Sequence, residues 1–467
     1  MPWLGKSGMP RPISWKSNLA AIWVSQFISL SAFSFSIPFL PIYLKEKNIV
    51  PAEEAPFWSG IFIAAAPVSM MIMAPIWGML GDRYGRKMML VRANLAGAFV
   101  LYLMSVIDNM EGLIVLRLLQ GAFTGTVPSA QSLVSAATPD KHQGFALGLM
   151  MAALNAANTA GAFFGGFYAQ RFGAEATFRM SGYMLVAATI MVVTMVRENF
   201  TPPVLGKNTR SARIRRRKEG VNQLKSSVPA LLVIGFVALI MTFDGPFMAL
   251  YVETLRVAAG NVDPSQLHGE VYRLTGDINA LASIIAVGGS ISISYIMDKK
   301  TPRFVWGLLA LMGASGPLII YHIDTVWGLT LGRTVFLFFM SGLSSVLIVL
   351  LSRNTPTEKR GSSMGWAVTF RSFGWVSAPL MGGWIAQNHG YGEAYYWLGI
   401  LTLALVVIFP ALATRYPDAF GRKFDKSDLD GDFDEVAMPP QSMQVSTKAS
   451  VRLLIKEDKE EGKGTDN

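Results

Sequence analysis

The chain of 467 residues has no cysteine, and its four histidines (His142, His268, His322 and His389) are scattered. Without cysteine there can be no disulfides, thiolate metal sites or cysteine nucleophiles. The histidines do not fall at metal-ligand spacing, and the sequence contains no nucleophile–base constellation and no nucleotide-binding loop. We therefore expect a protein that is not an enzyme, that binds no metal or cofactor, and that is not driven directly by ATP.

Charged side chains are scarce as well. They make up 15% of the residues, against about 25% in soluble domains, and 51% of the residues are hydrophobic. The basic residues behind the net charge of +10 lie mostly in short segments between apolar runs, as membrane orientation requires. The composition indicates a membrane protein in contact with lipids and argues against a nucleic-acid partner.

Twelve apolar runs are each long enough to cross a hydrocarbon core about 30 Å thick. They cover residues 18–42, 57–80, 88–107, 111–133, 144–168, 178–197, 228–252, 275–297, 303–321, 327–351, 362–386 and 394–413. The connecting segments alternate between basic and acidic, and the even number of runs places both termini on the basic side. By the positive-inside rule, that side is the cytoplasm.

One polar segment is long enough to divide the membrane domain, and it is rich in arginine. We predict a cytoplasmic N-terminal segment (1–17), a first six-helix half (18–198), a basic cytoplasmic linker (199–227), a second six-helix half (228–413) and a disordered cytoplasmic tail (414–467). The tail is predicted from its mixed charge and its lack of apolar periodicity.

The two halves repeat each other in sequence. Gly173 and Gly390 lie 217 positions apart and Arg117 and Arg333 lie 216 apart, among other matches. A tandem repeat in the same orientation relates the halves by an axis along the membrane normal, and it predicts a binding site between them near the midplane.

Residues 78–87, with the sequence Gly-Met-Leu-Gly-Asp-Arg-Tyr-Gly-Arg-Lys, connect the second and third runs. Gly85 permits a tight turn, and Gly78 and Gly81 permit close contact between helices. The segment resembles the signature loop of the major facilitator superfamily. The resemblance implies an all-α membrane protein with twelve transmembrane helices in two pseudo-symmetric six-helix halves. In that family the loop latches the halves together on the cytoplasmic side when the carrier opens outward. The matching latch residues are Gly78, Gly81, Asp82, Arg83, Gly85, Arg86 and Lys87.

Two further motifs resemble those of drug:proton antiporters of the MdtG type. Residues 116–121 place Arg117 inside helix 4, where that family assigns the arginine a part in proton transfer. Residues 161–166 keep three glycines of a helix 5 motif but have Ala162 where proline is expected. The resemblance implies alternating access and proton-driven efflux of small amphipathic compounds or drugs, as in multidrug resistance.

Ionisable side chains within the apolar runs are few, and each marks a candidate site because a charge in lipid is costly. The candidates for proton coupling are Asp244, Asp277 and Arg117, since helix 1 has no acid. The candidates for the substrate cavity are Gln26, Asn155, Arg333 and Arg371. Asp244 could instead serve only as the partner of a buried arginine. Arg371 either neutralises Asp244 or leaves the cavity positive, which would favour an anionic or zwitterionic substrate.

We expect a monomer in the cell (inner) membrane, with a small-molecule substrate, protons and membrane lipids as its partners. Two functions other than drug efflux stay open at this point. One is a carrier for a single solute such as a metabolite or siderophore, and the other is a sensor that keeps the transporter fold without transport.

Overall fold

The computed structural model describes residues 14–139, 142–198, 227–260, 264–299, 304–353 and 360–416. These residues all belong to one unit of the chain, residues 1–420. They are overwhelmingly helical and contain no strand, which confirms the prediction of an all-α protein. The predicted linker and tail lie outside the described residues, apart from Ser227 and residues 414–416.

Fourteen α-helices lie within the described ranges. They are α1 (Trp15–Ser36), α2 (Leu40–Glu46), α3 (Ala55–Tyr84), α4 (Arg86–Met104), α5 (Met110–Phe123), α6 (Thr126–Ala137), α7 (Gln143–Met195), α8 (Ser227–Thr242), α9 (Met248–Ala258), α10 (Pro264–Lys299), α11 (Phe304–His322), α12 (Val326–Arg353), α13 (Arg360–His389) and α14 (Tyr391–Arg415). Seven segments of the described chain are long and apolar enough to cross a membrane, and two further apolar helices are shorter. In order along the chain the helices follow the twelve predicted runs, while the number of crossings itself stays a prediction.

Three of the predicted runs are interrupted helices. A 3-10 turn at Ile37–Phe39 separates α1 from α2, and it contains Pro38. Residues 243–247 separate α8 from α9, and Pro246 lies among them. Proline lacks the backbone N–H that a helix interior needs, which accounts for both breaks. The third break separates α5 from α6 and includes Gly125, whose φ of +120° favours glycine.

Single glycines join several consecutive helices with almost no loop. Gly85, between α3 and α4, has φ +96° and ψ 146°. Gly173 (φ +81°, ψ 163°) divides α7 into two helical parts, so the predicted fifth and sixth runs form one kinked element. Gly390, between α13 and α14, has φ +94° and ψ 165°. Gly173 and Gly390 are repeat mates, that is, they occupy matching positions in the two halves. Because their backbone conformations are also alike, the repeat extends from the sequence to the structure.

Helix packing follows the same repeat. In the first part of α7, Gly161 and Gly165 meet α1, and in the second part Gly182 meets α4. The repeat mates of these pairs are α13 with α8 and α14 with α11, and they are also in contact. Likewise α3 packs on α5 as α10 packs on α12. The helices of the first six runs, α1–α7, are called the first group, and those of the last six runs, α8–α14, the second group. The two groups therefore share the same internal arrangement.

The first six predicted runs meet the last six mainly through two helix pairs, α7 with α10 and α3 with α13. A Cβ atom built on Gly276 would lie 2.6 Å from the carbonyl oxygen of Ala162 and 3.0 Å from Cα of Gly166. One built on Gly60 would lie 2.4 Å from the carbonyl oxygen of Pro379. These contacts need glycine, because any side chain would meet the backbone of the facing helix.

Both glycine contacts lie toward one end of the bundle. We call it the distal end, formed by residues 46–55, 105–109, 258–260 and 323–325. The opposite end, which carries the Gly85 turn and the start of α8, is the signature end. The described helices of the two groups are thus held together at the distal end.

The largest error in a predicted helix boundary is at the start of helix 8. Helix 8 was predicted to begin at residue 275, whereas α10 begins at Pro264. Residues 264–274 are too polar to extend the apolar run, so the hydropathy pattern missed them. They remain helical because Tyr272 and Val271 are buried against the neighbouring helices.

Candidate functional site

A buried ion pair joins α12 to the break between α8 and α9. Nε of Arg333, on α12, lies 3.0 Å from Oδ2 of Asp244, and the two side chains are only 12% and 8% exposed. The hydroxyl of Tyr395, on α14, donates a hydrogen bond of 3.4 Å to the same oxygen. Asp244 is therefore held by two different helices while it lies in the break between α8 and α9.

The break itself orients Asp244. The carbonyl oxygen of Asp244 accepts hydrogen bonds from the backbone N–H groups of Phe247 (3.2 Å) and Met248 (2.9 Å), where α9 begins. An acid at the start of a helix is favoured by the partial positive charge of the free N–H groups. A change in the charge of Asp244 would thus act at the junction between two helical segments.

The first group of helices has the arginine but no matching acid. Arg117, the repeat mate of Arg333, is buried on α5, and its Nη1 donates a hydrogen bond to Oε1 of Gln120. Its guanidinium also lies 5.0 Å from the ring centroid of Phe62, within the range of a cation–π contact. No carboxylate among the described side chains pairs with it. The position 217 residues before Asp244 is Phe27, so the first half has no acid at the matching position.

Asp277 lies in a different environment. It is on α10 near the distal end, its side chain is 43% exposed, and its nearest cation is Arg273 at 3.8 Å. The predicted proton-coupling residues are thus not brought together. Asp244 is buried and paired, Arg117 is buried on the other group of helices, and Asp277 is half-exposed.

Arg371 does not neutralise Asp244 in this structure, because Arg333 does. Arg371 lies within α13, half-buried, with its guanidinium 5.8 Å from the ring centroid of Trp375. Within the described ranges no carboxylate lies at ion-pair distance from it. The other alternative, that Arg371 leaves the substrate cavity positive, stays a prediction.

The two amide candidates for the substrate cavity differ in exposure. Gln26 is 1% exposed, and its Nε2 donates a hydrogen bond of 3.2 Å to Oγ1 of Thr126, the first residue of α6. It thus supports the break between α5 and α6 in this conformation. Asn155 is exposed on α7. A place for either amide in the substrate cavity remains a prediction.

The signature segment is the last turn of α3, a one-residue turn at Gly85 and the first turn of α4. Nζ of Lys87 donates hydrogen bonds to the carbonyl oxygens of Val193 (2.9 Å) and Val196 (2.6 Å), at the end of α7. Gly81 is buried against Met89, and Arg83 is exposed beside Tyr84. The placement of Gly78 and of the Asp82 side chain lies outside the described features, so the latch partner of Asp82 stays a prediction.

Glu198, which follows α7, contacts this segment, and the sequence analysis did not identify it. Its carboxylate accepts hydrogen bonds from the backbone N–H groups of Arg86 (2.9 Å) and Lys87 (2.8 Å). It thereby caps the N-terminus of α4, while Lys87 caps the C-terminus of α7. In the sequence, the one sign of this role was a single acidic residue directly after an apolar run.

A second cluster, at the distal end, joins the two groups of helices. Nζ of Lys45 lies 2.9 Å from Oε2 of Glu253, whose side chain is 7% exposed. The hydroxyl of Tyr272 donates a hydrogen bond to Oε2 of Glu46, on α2. The distal end is therefore closed by polar contacts as well as by the glycine contacts.

The chain matches the family model described as Major Facilitator Superfamily over residues 22–328 and 273–430. It is 29% identical over 408 residues to the multidrug resistance protein MdtG of Enterobacter lignolyticus (strain SCF1), which covers 86% of this chain and 92% of that protein. It is also 29% identical over 396 residues to the multi-drug resistance efflux pump PmrA of Streptococcus pneumoniae serotype 4, which covers 82% of this chain and 93% of that protein.

Solved transporter structures have the same fold. The nucleoside transporter NupG superposes with a TM-score of 0.69 at 10% identity, over 84% of this chain and 99% of that chain. The xylose transporter XylE from E. coli, in an inward open conformation, superposes with a TM-score of 0.61 at 13% identity, over 84% of this chain and 96% of that chain. The family-model match over most of the chain, together with the apolar helices, shows that the chain is a membrane-embedded transporter of the Major Facilitator Superfamily.

Proposed function

We propose that the chain is a proton-coupled carrier that exports small amphipathic compounds across the cell membrane. The observation that carries this proposal is the buried pair of Asp244 and Arg333, whose acid is also bonded to Tyr395. A carboxylate buried within the helices of a carrier marks a proton or ion pathway. The relatives named multidrug resistance protein and efflux pump support the choice of substrate class.

The pair provides a way to couple a proton to movement. While Asp244 is charged, attraction to Arg333 holds α12 against the break between α8 and α9, and this attraction is strong because water is largely excluded. A proton on Asp244 removes the attraction, so that α12 can move relative to the break. A cationic group of the substrate and a proton compete for one carboxylate, and this competition is the basis of antiport.

We propose further that the distal end faces the outside and that both termini lie in the cytoplasm. The closed distal end then corresponds to a carrier that loads from the cytoplasm. The six-helix halves, 18–198 and 228–413, rock about the site between them, with the basic linker 199–227 and the tail 414–467 in the cytoplasm. In the opposite state the signature segment, through Asp82, latches the cytoplasmic ends.

The test uses purified protein in liposomes that enclose a pH-sensitive dye. After a proton gradient is imposed, addition of lipophilic cations should move protons in the wild type. Asp244→Asn should abolish this movement, and the exposed acid Glu111 supplies the control Glu111→Gln. Normal proton movement in Asp244→Asn would refute the assignment, and loss of movement in Asp277→Asn alone would transfer the coupling role to Asp277.

A second candidate function is supported by Arg371, which has no acid partner within the described ranges. A half-buried guanidinium in α13 favours a carrier for one anionic or zwitterionic solute. The same liposomes distinguish the two functions through a panel of cationic, neutral and anionic compounds. Proton movement with a single anionic compound, lost in Arg371→Gln, would establish the specific carrier.

A further inference from the structure

A cleft at the distal end of the second group of helices has no part in the proposed proton step. It has a volume of about 850 Å³ and lies among the end of α9, the first turns of α10 and the start of α12. This is within the range of small-molecule sites, roughly 300–1,000 Å³. One residue of its lining, Gln170, belongs to α7 and so to the first group of helices.

The charges that line the cleft leave one carboxylate without a cation. Arg256 is paired with Glu270 at 2.5 Å, and Arg273 lies 3.8 Å from Asp277. The remaining acid is Asp324, whose Oδ1 accepts a hydrogen bond of 2.7 Å from the hydroxyl of Tyr251. No cationic side chain in the described ranges lies at ion-pair distance from Asp324. The lining therefore carries a surplus of one negative charge.

The rest of the lining is apolar and aromatic. Leu255, Ile278 and Leu281 contribute aliphatic surface, and Trp327 stands three residues after Asp324 with 83% of its surface exposed. An exposed indole beside a carboxylate suits a poorly hydrated organic cation, which gains a cation–π contact and a charge contact together. An inorganic cation would gain little from the aliphatic surface, because it keeps its water.

We propose that this cleft is a second binding site, separate from Asp244, for a lipophilic organic monocation. The ligand's charge lies between Asp324 and Trp327, and its apolar part rests on α10. Gln170 packs against Gly269 of α10, so a ligand in the cleft touches both groups of helices. Such a ligand stabilises the closed distal end, since a ligand favours the conformation to which it binds better.

The experiment measures equilibrium binding of radiolabelled tetraphenylphosphonium to the purified full-length protein. Two classes of site are expected. Asp324→Asn should weaken one class about five- to tenfold, as the loss of one charge contact near a protein surface implies. Trp327→Ala should weaken the same class. The matched control is Asp108→Asn, because Asp108 lies 216 positions before Asp324, is exposed, and does not line the cleft.

Asp244→Asn separates this inference from the proposed function. A class of site that persists in Asp244→Asn and is weakened by Asp324→Asn supports the cleft, whether or not the protein moves protons. The proposal is overturned if both classes keep their affinity in Asp324→Asn and Trp327→Ala. It is also overturned if a single class is found and Asp244→Asn alone removes it.

Discussion

Replacement of Gly276 by valine should open the distal end of the transporter. The Cβ atom would lie 2.6 Å from the carbonyl oxygen of Ala162 and 3.0 Å from Cα of Gly166. Optimal contact between such atoms is about 3.5 Å or more, so α7 and α10 have to separate by roughly 1 Å. Both obstructing atoms belong to the backbone, so a change of rotamer cannot relieve the contact.

The magnitude follows from the cost of overpacking. Extra atoms in a well-packed interface cost typically about 1–3 kcal/mol. The cost falls only on the closed state, because the two helices part when the distal end opens. A free-energy difference of about 1–3 kcal/mol between two states shifts their ratio roughly 5- to 150-fold. The open state should therefore become readily detectable in the variant.

Because the chain has no cysteine, two labels can be introduced without removing any native residue. Spin labels at Asp108→Cys and Ile323→Cys, both exposed at the distal end, report the distance between the two groups of helices. Gly276→Val should broaden and lengthen the distance distribution. The control is Gly288→Val on the same helix, where an added Cβ meets nothing within 4 Å. Identical distributions in the two variants, with equal thermal stability, would refute the reasoning.

Three other outcomes are expected. Glu198→Gln should weaken the cap of α4 by about 0.5–2 kcal/mol, seen as faster hydrogen exchange of its first amides; unchanged exchange would count against the cap. Arg333→Gln alone should cost about 3–5 kcal/mol because Asp244 is left buried without its partner. The double variant with Asp244→Asn should recover most of that loss in thermal unfolding, and additive losses would contradict the pairing. The hydrogen bond from Lys47 to Glu175 raises the pKa of Lys47 above 10.5. The stabilisation that this ion pair gives to the folded protein is therefore complete below pH 10.5, and it disappears as the pH rises through the pKa of Lys47 in the folded state. The drop in unfolding temperature at high pH should be smaller in Glu175→Gln, and an equal drop would exclude the pair.

The fold was predictable because its causes are local and repeated. Apolar runs of membrane length fix where helices lie, and the segment around Gly85 predicts the tight turn that the structure contains. The mates Gly173 and Gly390 could be found from spacing alone, since only glycine tolerates their backbone conformation. The predicted helix boundaries were wrong where amphipathic residues continue a helix beyond its apolar part, as in the helix that begins at Pro264.

The site was less predictable because its contacts join distant residues. Asp244 and Arg333 were each marked by the cost of a charge in lipid, but nothing in their spacing identified them as partners. Lys45 and Glu253 are 208 positions apart and lie at helix ends, where a charge is common and therefore uninformative. Glu198 is a single acid directly after the sixth apolar run, and its role depends on the three-dimensional approach of α7 to α4.

The glycine contact at Gly60 has a mechanical consequence. It lies near the start of α3, and 25 residues of continuous helix, about 37 Å, separate it from Gly85. A rotation of about 10° around the contact would carry the Gly85 turn through about 6 Å, given that helical rise. A helix that pivots near one tip and is stiff along its length converts a small rotation at the distal end into a displacement of several ångströms at the signature end.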